Sequence, residues 1–126
     1  LFIADRGTEK AERRHPNNYN TILFKNFQNL VDKHYKTKKL TKDYAAMLYI
    51  TPNHLNALSK DISGRSAGEI IRDRILLEAK RWLINGGITI AEVAAVLEFE
   101  DNSYFTKFFK KYEGFTPQEF RKKYLK

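Results

Sequence analysis

The chain has 126 residues and no cysteine. That is the length of one ordinary domain, able to bury roughly two-thirds of its unfolded surface, and the missing thiols exclude a disulfide framework, a thiolate zinc site, an iron–sulfur cluster and a cysteine nucleophile. Hydrophobic residues make up 42% and charged residues 30%, with 23 Lys plus Arg against 15 Asp plus Glu and a formal charge of +8; this is globular composition, not that of a disordered chain, and it favours polyanionic partners without naming one.

Residues 1–20 hold Asp5, Arg6, Glu9, Lys10, Glu12, Arg13 and Arg14 and close in His15-Pro16-Asn17-Asn18, which reads as a linker or tail from a preceding domain. The chain starts at Leu1 and not at methionine, so it is expected to be part of a longer protein in which any sensing function resides elsewhere. The opening Leu1-Phe2-Ile3-Ala4-Asp5-Arg6 is not patterned as a signal peptide, and nowhere do 18 consecutive apolar residues occur, so a cytoplasmic protein is expected. From Thr21, the residues Ile22, Leu23, Phe27, Leu30, Val31 and Tyr35 form one stripe of an amphipathic helix over 21–35. Lys33, Lys36, Lys38, Lys39 and Lys42 then fall within ten residues holding no acid, which reads either as a phosphate-facing loop or as a solvated one.

Further helices are predicted over 41–49, 52–61, 67–85, 89–97, 101–112 and 117–125. Strict apolar–polar alternation of β-branched residues is absent, so an all-α chain of about seven helices is expected. Gly64, Gly86, Gly87 and Gly114 sit where helices should stop, and Pro52 and Pro117 where they should start, behind Thr51 and Thr116 as N-caps.

An internal repeat organises these elements. Tyr44-Ala45-Ala46-Met47-Leu48 aligns with Val93-Ala94-Ala95-Val96-Leu97, 49 residues later, whereas Leu55, Leu58 and Gly64 align with Phe105, Phe108 and Gly114, 50 residues later. Each copy is a short helix with a double alanine, a tight turn and a second amphipathic helix ended by glycine, which is the sequence form of a helix-turn-helix. Small Ala45 and Ala94 allow the second helix to cross close to the first. The second helix of the later copy turns Phe105, Phe108, Phe109 and Tyr112 inward and Ser103, Thr106, Lys107 and Lys110 outward; the earlier copy turns Leu55, Leu58 and Ile62 inward and Asn53, Asn56, Ala57 and Lys60 outward.

Such outward faces suit a DNA major groove. Asn pairs with the two hydrogen-bonding atoms of adenine, Lys donates to guanine, and Thr offers a methyl to thymine, each good contact giving about 1 to 3 kcal/mol of discrimination. The helix over 67–85 would run about 28 Å, against roughly 34 Å between successive major-groove faces, so one chain is expected to fill two adjacent grooves.

The same residues resemble a known family. Ile90-Ala91-Glu92-Val93-Ala94, Phe99, the run from Asp101 to Tyr112, and Gly114-Phe115-Thr116-Pro117-Gln118-Glu119-Phe120-Arg121 are similar to the C-terminal DNA-binding region of AraC/XylS transcriptional regulators. The resemblance covers about 21–126; its first half, Tyr44-Ala45, Thr51-Pro52-Asn53-His54-Leu55, Ser63-Gly64-Arg65-Ser66 and Leu77-Glu78-Ala79-Lys80-Arg81-Trp82-Leu83, is looser. It implies an all-α fold of two helix-turn-helix subdomains joined by a long connecting helix, with a first unit over 21–65, a connecting helix over 66–86 and a second unit over 87–126. It implies base contacts from Asn53, His54, Asn56, Ala57, Asn102, Ser103, Thr106 and Lys107 and phosphate contacts from Lys60, Lys110 and Thr116. Two positions depart from the family pattern. Ala57 stands where a long basic residue is common, which directs the first unit toward thymine methyls or DNA shape. Glu98 replaces a usual glycine, which strains the second turn or brings a carboxylate toward phosphates.

The resemblance implies double-stranded DNA as partner, RNA polymerase as a second, and a homodimer through a missing N-terminal domain; no cofactor or metal is expected. His15 and His34 have no companion ligands, and the serines at 59, 63, 66 and 103 lack matching histidine and acid motifs, so an enzyme is not expected. His54 also fits a packed or solvated histidine, Trp82 fits packing, and Arg121, Lys122 and Lys123 read either as phosphate contacts or as cations that complement a helix C-terminus without any ligand. From a different class, a basic helical module binding an acidic protein remains an alternative to DNA recognition. A DNA-repair regulator is a third, weakened by the absent cysteines.

Overall fold

The computed structural model describes residues 18–125, and among them are seven helices and no strand. In chain order these are α1 (Asn18–His34), α2 (Thr41–Met47), α3 (Pro52–Ser63), α4 (Ala67–Asn85), α5 (Ile90–Val96), α6 (Asn102–Glu113) and α7 (Pro117–Tyr124). The tail expected over 1–20 lies outside the described residues as far as position 17. Its last three positions are helical, because α1 begins at Asn18 and not at Thr21.

Local chemistry explains the ends. Thr51 and Thr116 cap α3 and α7 with Pro52 and Pro117 following them, and Gly64 and Gly114 close α3 and α6 at φ of 80° and 90°. A side chain at those angles would be strained.

The described residues divide into two compact units, one made of 18–34 with 40–70 and the other of 35–39 with 71–125. In the first, Leu23, Phe24, Phe27 and Val31 of α1 share a core with Tyr44, Ala45, Leu55 and Leu58. Phe27 meets Tyr44 edge to face at 5.6 Å, the preferred geometry for paired aromatic quadrupoles. In the second, Ile71, Ile75, Leu76, Ala79 and Leu83 of α4 pack with Val93, Ala94, Leu97, Phe99, Phe105, Phe109 and Phe120. Two of the buried alanines, Ala45 and Ala94, are those the repeat selected for close helix crossing.

Three inward assignments are corrected. Ile22 is 61% exposed and Phe24 takes its place, since the stripe on α1 is set by where α2 and α3 pack. Ile62 is 40% exposed near the end of α3, and the buried position next to Leu58 is Ser59, whose hydroxyl has no partner. Tyr112 is 39% exposed, its ring lying under the Arg72 guanidinium at 4.3 Å.

Burial drives the Tyr44 phenol well above its ordinary value near 10, with the Asp43 carboxylate adding to the effect. The folded chain therefore holds that proton at pH values where the unfolded chain has released it. The contribution is full below about pH 10 and is lost as pH rises beyond it. Denaturant midpoints at about pH 9 and pH 11 should fall less for Tyr44→Phe than for the unmodified chain, by up to about 1.4 kcal/mol per pH unit; equal falls would remove Tyr44 as the cause.

Candidate nucleic-acid interface

Both helix-turn-helix turns are built alike. After α2, Tyr49 adopts φ 59°, its N–H donating to the Ala46 carbonyl at 3.2 Å and the Ile50 N–H to Ala45 at 3.0 Å. After α5, Glu98 also adopts φ 59°, with Glu98 N–H to Ala95 and Phe99 N–H to Ala94, both at 3.0 Å. This pair of bonds is the Schellman closure of a helix, which favours glycine at the left-handed residue. The departure at Glu98 therefore does place a side chain in strained backbone, and Tyr49 shares that strain. The residue inserted in the second turn is Glu100, between Phe99 and the N-cap Asp101.

Basic residues near the second turn are not all solvated. Lys39 donates to the Lys36 and Glu98 carbonyls, the latter at 3.4 Å, and its ammonium lies 4.9 Å from the Phe99 ring. Burial lowers its pKa. Lys39 thus braces the strained Glu98 peptide and is not a loop cation facing phosphate.

In α3 the Thr51 hydroxyl accepts from the His54 N–H at 3.0 Å, which fixes the first turn. Asn53, His54, Ala57 and Lys60 are all exposed. Asn56 departs from the outward assignment: it is half-buried, and its Oδ1 accepts from the Ala67 N–H at 3.0 Å. Pairing with both adenine atoms needs that oxygen as well as the amide nitrogen, so this contact takes one of the oxygen's two lone pairs and holds the amide toward the start of α4.

In α6 the Asp101 carboxylate accepts from the Tyr104 N–H at 2.7 Å. Asn102, Ser103, Lys107 and Lys110 are exposed and Thr106 is half-buried, whereas Phe105 and Phe109 are buried. The helix's one acid, Glu113, is bound by Lys80 at 2.9 Å, so the charges of Lys107 and Lys110 stand uncompensated on their own helix. By contrast, Lys60 of α3 is followed directly by Asp61.

The repeat runs further than helix-turn-helix. Ser66 and Glu69 form reciprocal cap bonds of 2.8 and 3.2 Å at the start of α4, and Thr116 and Glu119 form the same pair at 2.8 and 3.1 Å at the start of α7. Both are capping boxes 50 residues apart. Backbone N–H donation at Thr116 holds the Glu119 carboxyl below its usual range, helped by Lys110. The Thr116 hydroxyl, expected to touch phosphate, already accepts the Glu119 N–H; its own proton is what remains to offer.

At Arg121, Nε donates to the Leu83 carbonyl near the end of α4 at 2.8 Å, so this side chain ties α7 to α4 and is not poised for phosphate. Sequence spacing carries no signal for that contact, 38 residues apart.

With these two exposed faces in place, comparison with known proteins gives one answer. Residues 44–123 match the model of a helix-turn-helix domain family. Over 79 residues the chain is 37% identical to the uncharacterized transcriptional regulatory protein YesN of Bacillus subtilis, covering 61% of this chain and 22% of that protein. In structure it is similar to the C-terminal domain of the two-component response regulator yesN from Fusobacterium nucleatum (TM-score 0.69, 24% identity, covering 77% of this chain and 95% of that one). It is also similar to the DNA-binding domain of AdpA, a global transcriptional factor solved in complex with a target DNA (TM-score 0.69, 18% identity, 80% and 91%). The chain spans less than two-thirds of such curated relatives, 22% of one and 56% of another.

Proposed function

The chain belongs to the AraC-type helix-turn-helix family, and on that premise we propose that it binds double-stranded DNA sequence-specifically and regulates transcription. Bases are read by Asn53, His54 and Ala57 on α3 and by Asn102, Ser103, Thr106 and Lys107 on α6, whereas Asn56 is held at the start of α4. Lys60, Lys110, the Thr116 hydroxyl and the helix N-termini hold phosphates. The observation that carries this reading is the basic face of α6, where Asn102, Ser103, Lys107 and Lys110 are exposed on a helix whose opposite face is buried.

The proposal includes adjacent major grooves for the two helices, supported by the roughly 28 Å length of a 19-residue α4. RNA polymerase as a partner, a homodimer through a domain outside this chain, and a cytoplasmic location also belong to it. Among the described residues no helix is long and apolar enough to cross a membrane.

Selection from random duplexes followed by salt titration tests the reading. A motif of two boxes centred about 10 base pairs apart and a steep fall of affinity with salt are expected. Lys110→Ala should lower the salt slope by about one, Lys107→Ala should relax base preference in one box, and Lys60→Ala should weaken all sequences alike. Absence of salt-dependent duplex binding, with capture of an acidic protein instead, would replace DNA by a protein partner.

A further inference from the structure

The duplication brings forward a residue to which neither motif nor composition gives a role. Fifty residues after His54 stands Tyr104. Each is the third residue of its recognition helix, and each has its backbone N–H held by the N-cap side chain, Thr51 at 3.0 Å and Asp101 at 2.7 Å. Tyr104 is 54% exposed. Its ring rests edge-on against Phe99 at 5.7 Å, so the phenol is steadied at one side, while among the described residues nothing accepts from its hydroxyl.

Helical spacing then fixes its neighbours. Tyr104 lies about 100° around α6 from Ser103, on the line of Lys111 seven residues on and beside Lys107 three residues on. Both lysines are exposed. Ser103 and Lys107 lie nearer the centre of the outward face, whereas Tyr104 and Lys111 lie on its flank. When a helix sits in a major groove its centre meets base edges and its flanks meet the groove walls, which are made of phosphates.

Resting on the DNA-binding reading above, we infer that the Tyr104 hydroxyl donates a hydrogen bond to a backbone phosphate at the wall of the groove occupied by α6. The contact anchors α6 to the groove wall and carries no sequence information of its own. A neutral donor displaces no counterion, so its signature differs from that of a lysine.

Tyr104→Phe separates the possibilities because it keeps the ring on Phe99 and removes only the hydroxyl. Measured on the selected duplex by fluorescence anisotropy across a salt series, the variant should bind about 3- to 10-fold more weakly, with the salt slope and the selected motif unchanged. The slope of Lys110→Ala, measured alongside, should fall by about one. Unchanged affinity in Tyr104→Phe overturns the inference while leaving DNA recognition intact. A weaker variant with an altered motif also overturns it, since the hydroxyl would then be reading a base and not a phosphate. If the unmodified chain itself shows no salt-dependent duplex binding, the functional reading fails and this inference with it. A thermal midpoint for Tyr104→Phe equal to that of the unmodified chain excludes a folding defect as the source of any loss.

Discussion

Phe105→Ala should cost about 3 to 5 kcal/mol of stability in the second unit, a large share of the roughly 5 to 15 kcal/mol that holds an ordinary domain together. Phe105 is fully buried, and its ring centroid lies 5.1 Å from that of Phe99 and 6.1 Å from that of Phe109. Phe109 in turn meets Phe120 at 5.6 Å, so these rings join the turn, α6 and α7. Truncating Phe105 leaves a ring-sized hole in the middle of that chain, and rings held at fixed tilts collapse into such a hole poorly. Chemical denaturation followed by ring-sensitive near-ultraviolet dichroism should show the early loss. Amide exchange should accelerate in α5 to α7 before it does in α1 to α3, and the half of the selected motif read by α6 should vanish. A variant that loses less than about 1 kcal/mol would show that the aromatic cluster is not what holds α6 in place.

Features governed by a few neighbouring residues were legible in the sequence, and features made by distant ones were not. Thr51 with Pro52, Thr116 with Pro117, Gly64 and Gly114 mark helix ends because the cap, the fixed φ and the left-handed glycine act within one turn. Ala45 and Ala94 were legible because the repeat marks the same small residue twice. Glu98 was legible as a strained turn residue through its departure from a family pattern, and the structure places it at φ 59°. The matching strain at Tyr49 needed coordinates, since nothing in the string singles out a tyrosine at that turn.

Burial on the flanks behaved differently. Ile22, Ile62 and Tyr112 fit helical periodicity, yet periodicity tells only that a helix has two faces. It does not tell how wide the covered face is, which depends on the neighbours the fold supplies. Lys39 and Arg121 belong to the same class. Their hydrogen bonds reach carbonyls 59 and 38 residues away, so two cations that composition alone would assign to phosphate are spent inside the second unit.

The largest functional consequence of such a hidden contact lies at Asn56 and its counterpart. The 50-residue offset pairs Asn56 with Thr106 and Ala67 with Pro117. In the first unit Asn56 Oδ1 satisfies the Ala67 N–H, one of the orphan donors at the start of a helix. In the second, proline stands at the matching position and has no N–H to satisfy. Thr106 is therefore released from the duty that holds Asn56, although both side chains are half-buried on equivalent faces. Asn56→Ala should lower stability by about 1 to 2 kcal/mol, shift the denaturant midpoint, and leave the base preference of the first box nearly unchanged. Thr106→Ala should do the reverse, altering preference in the second box by up to about 1 to 3 kcal/mol with little change in midpoint. The two quantities come from separate measurements, denaturation and duplex selection, and so do not compensate for one another. A shifted first-box motif with an unshifted midpoint for Asn56→Ala would mean that DNA draws the side chain off Ala67, and the two halves of the chain would then read their grooves in the same way.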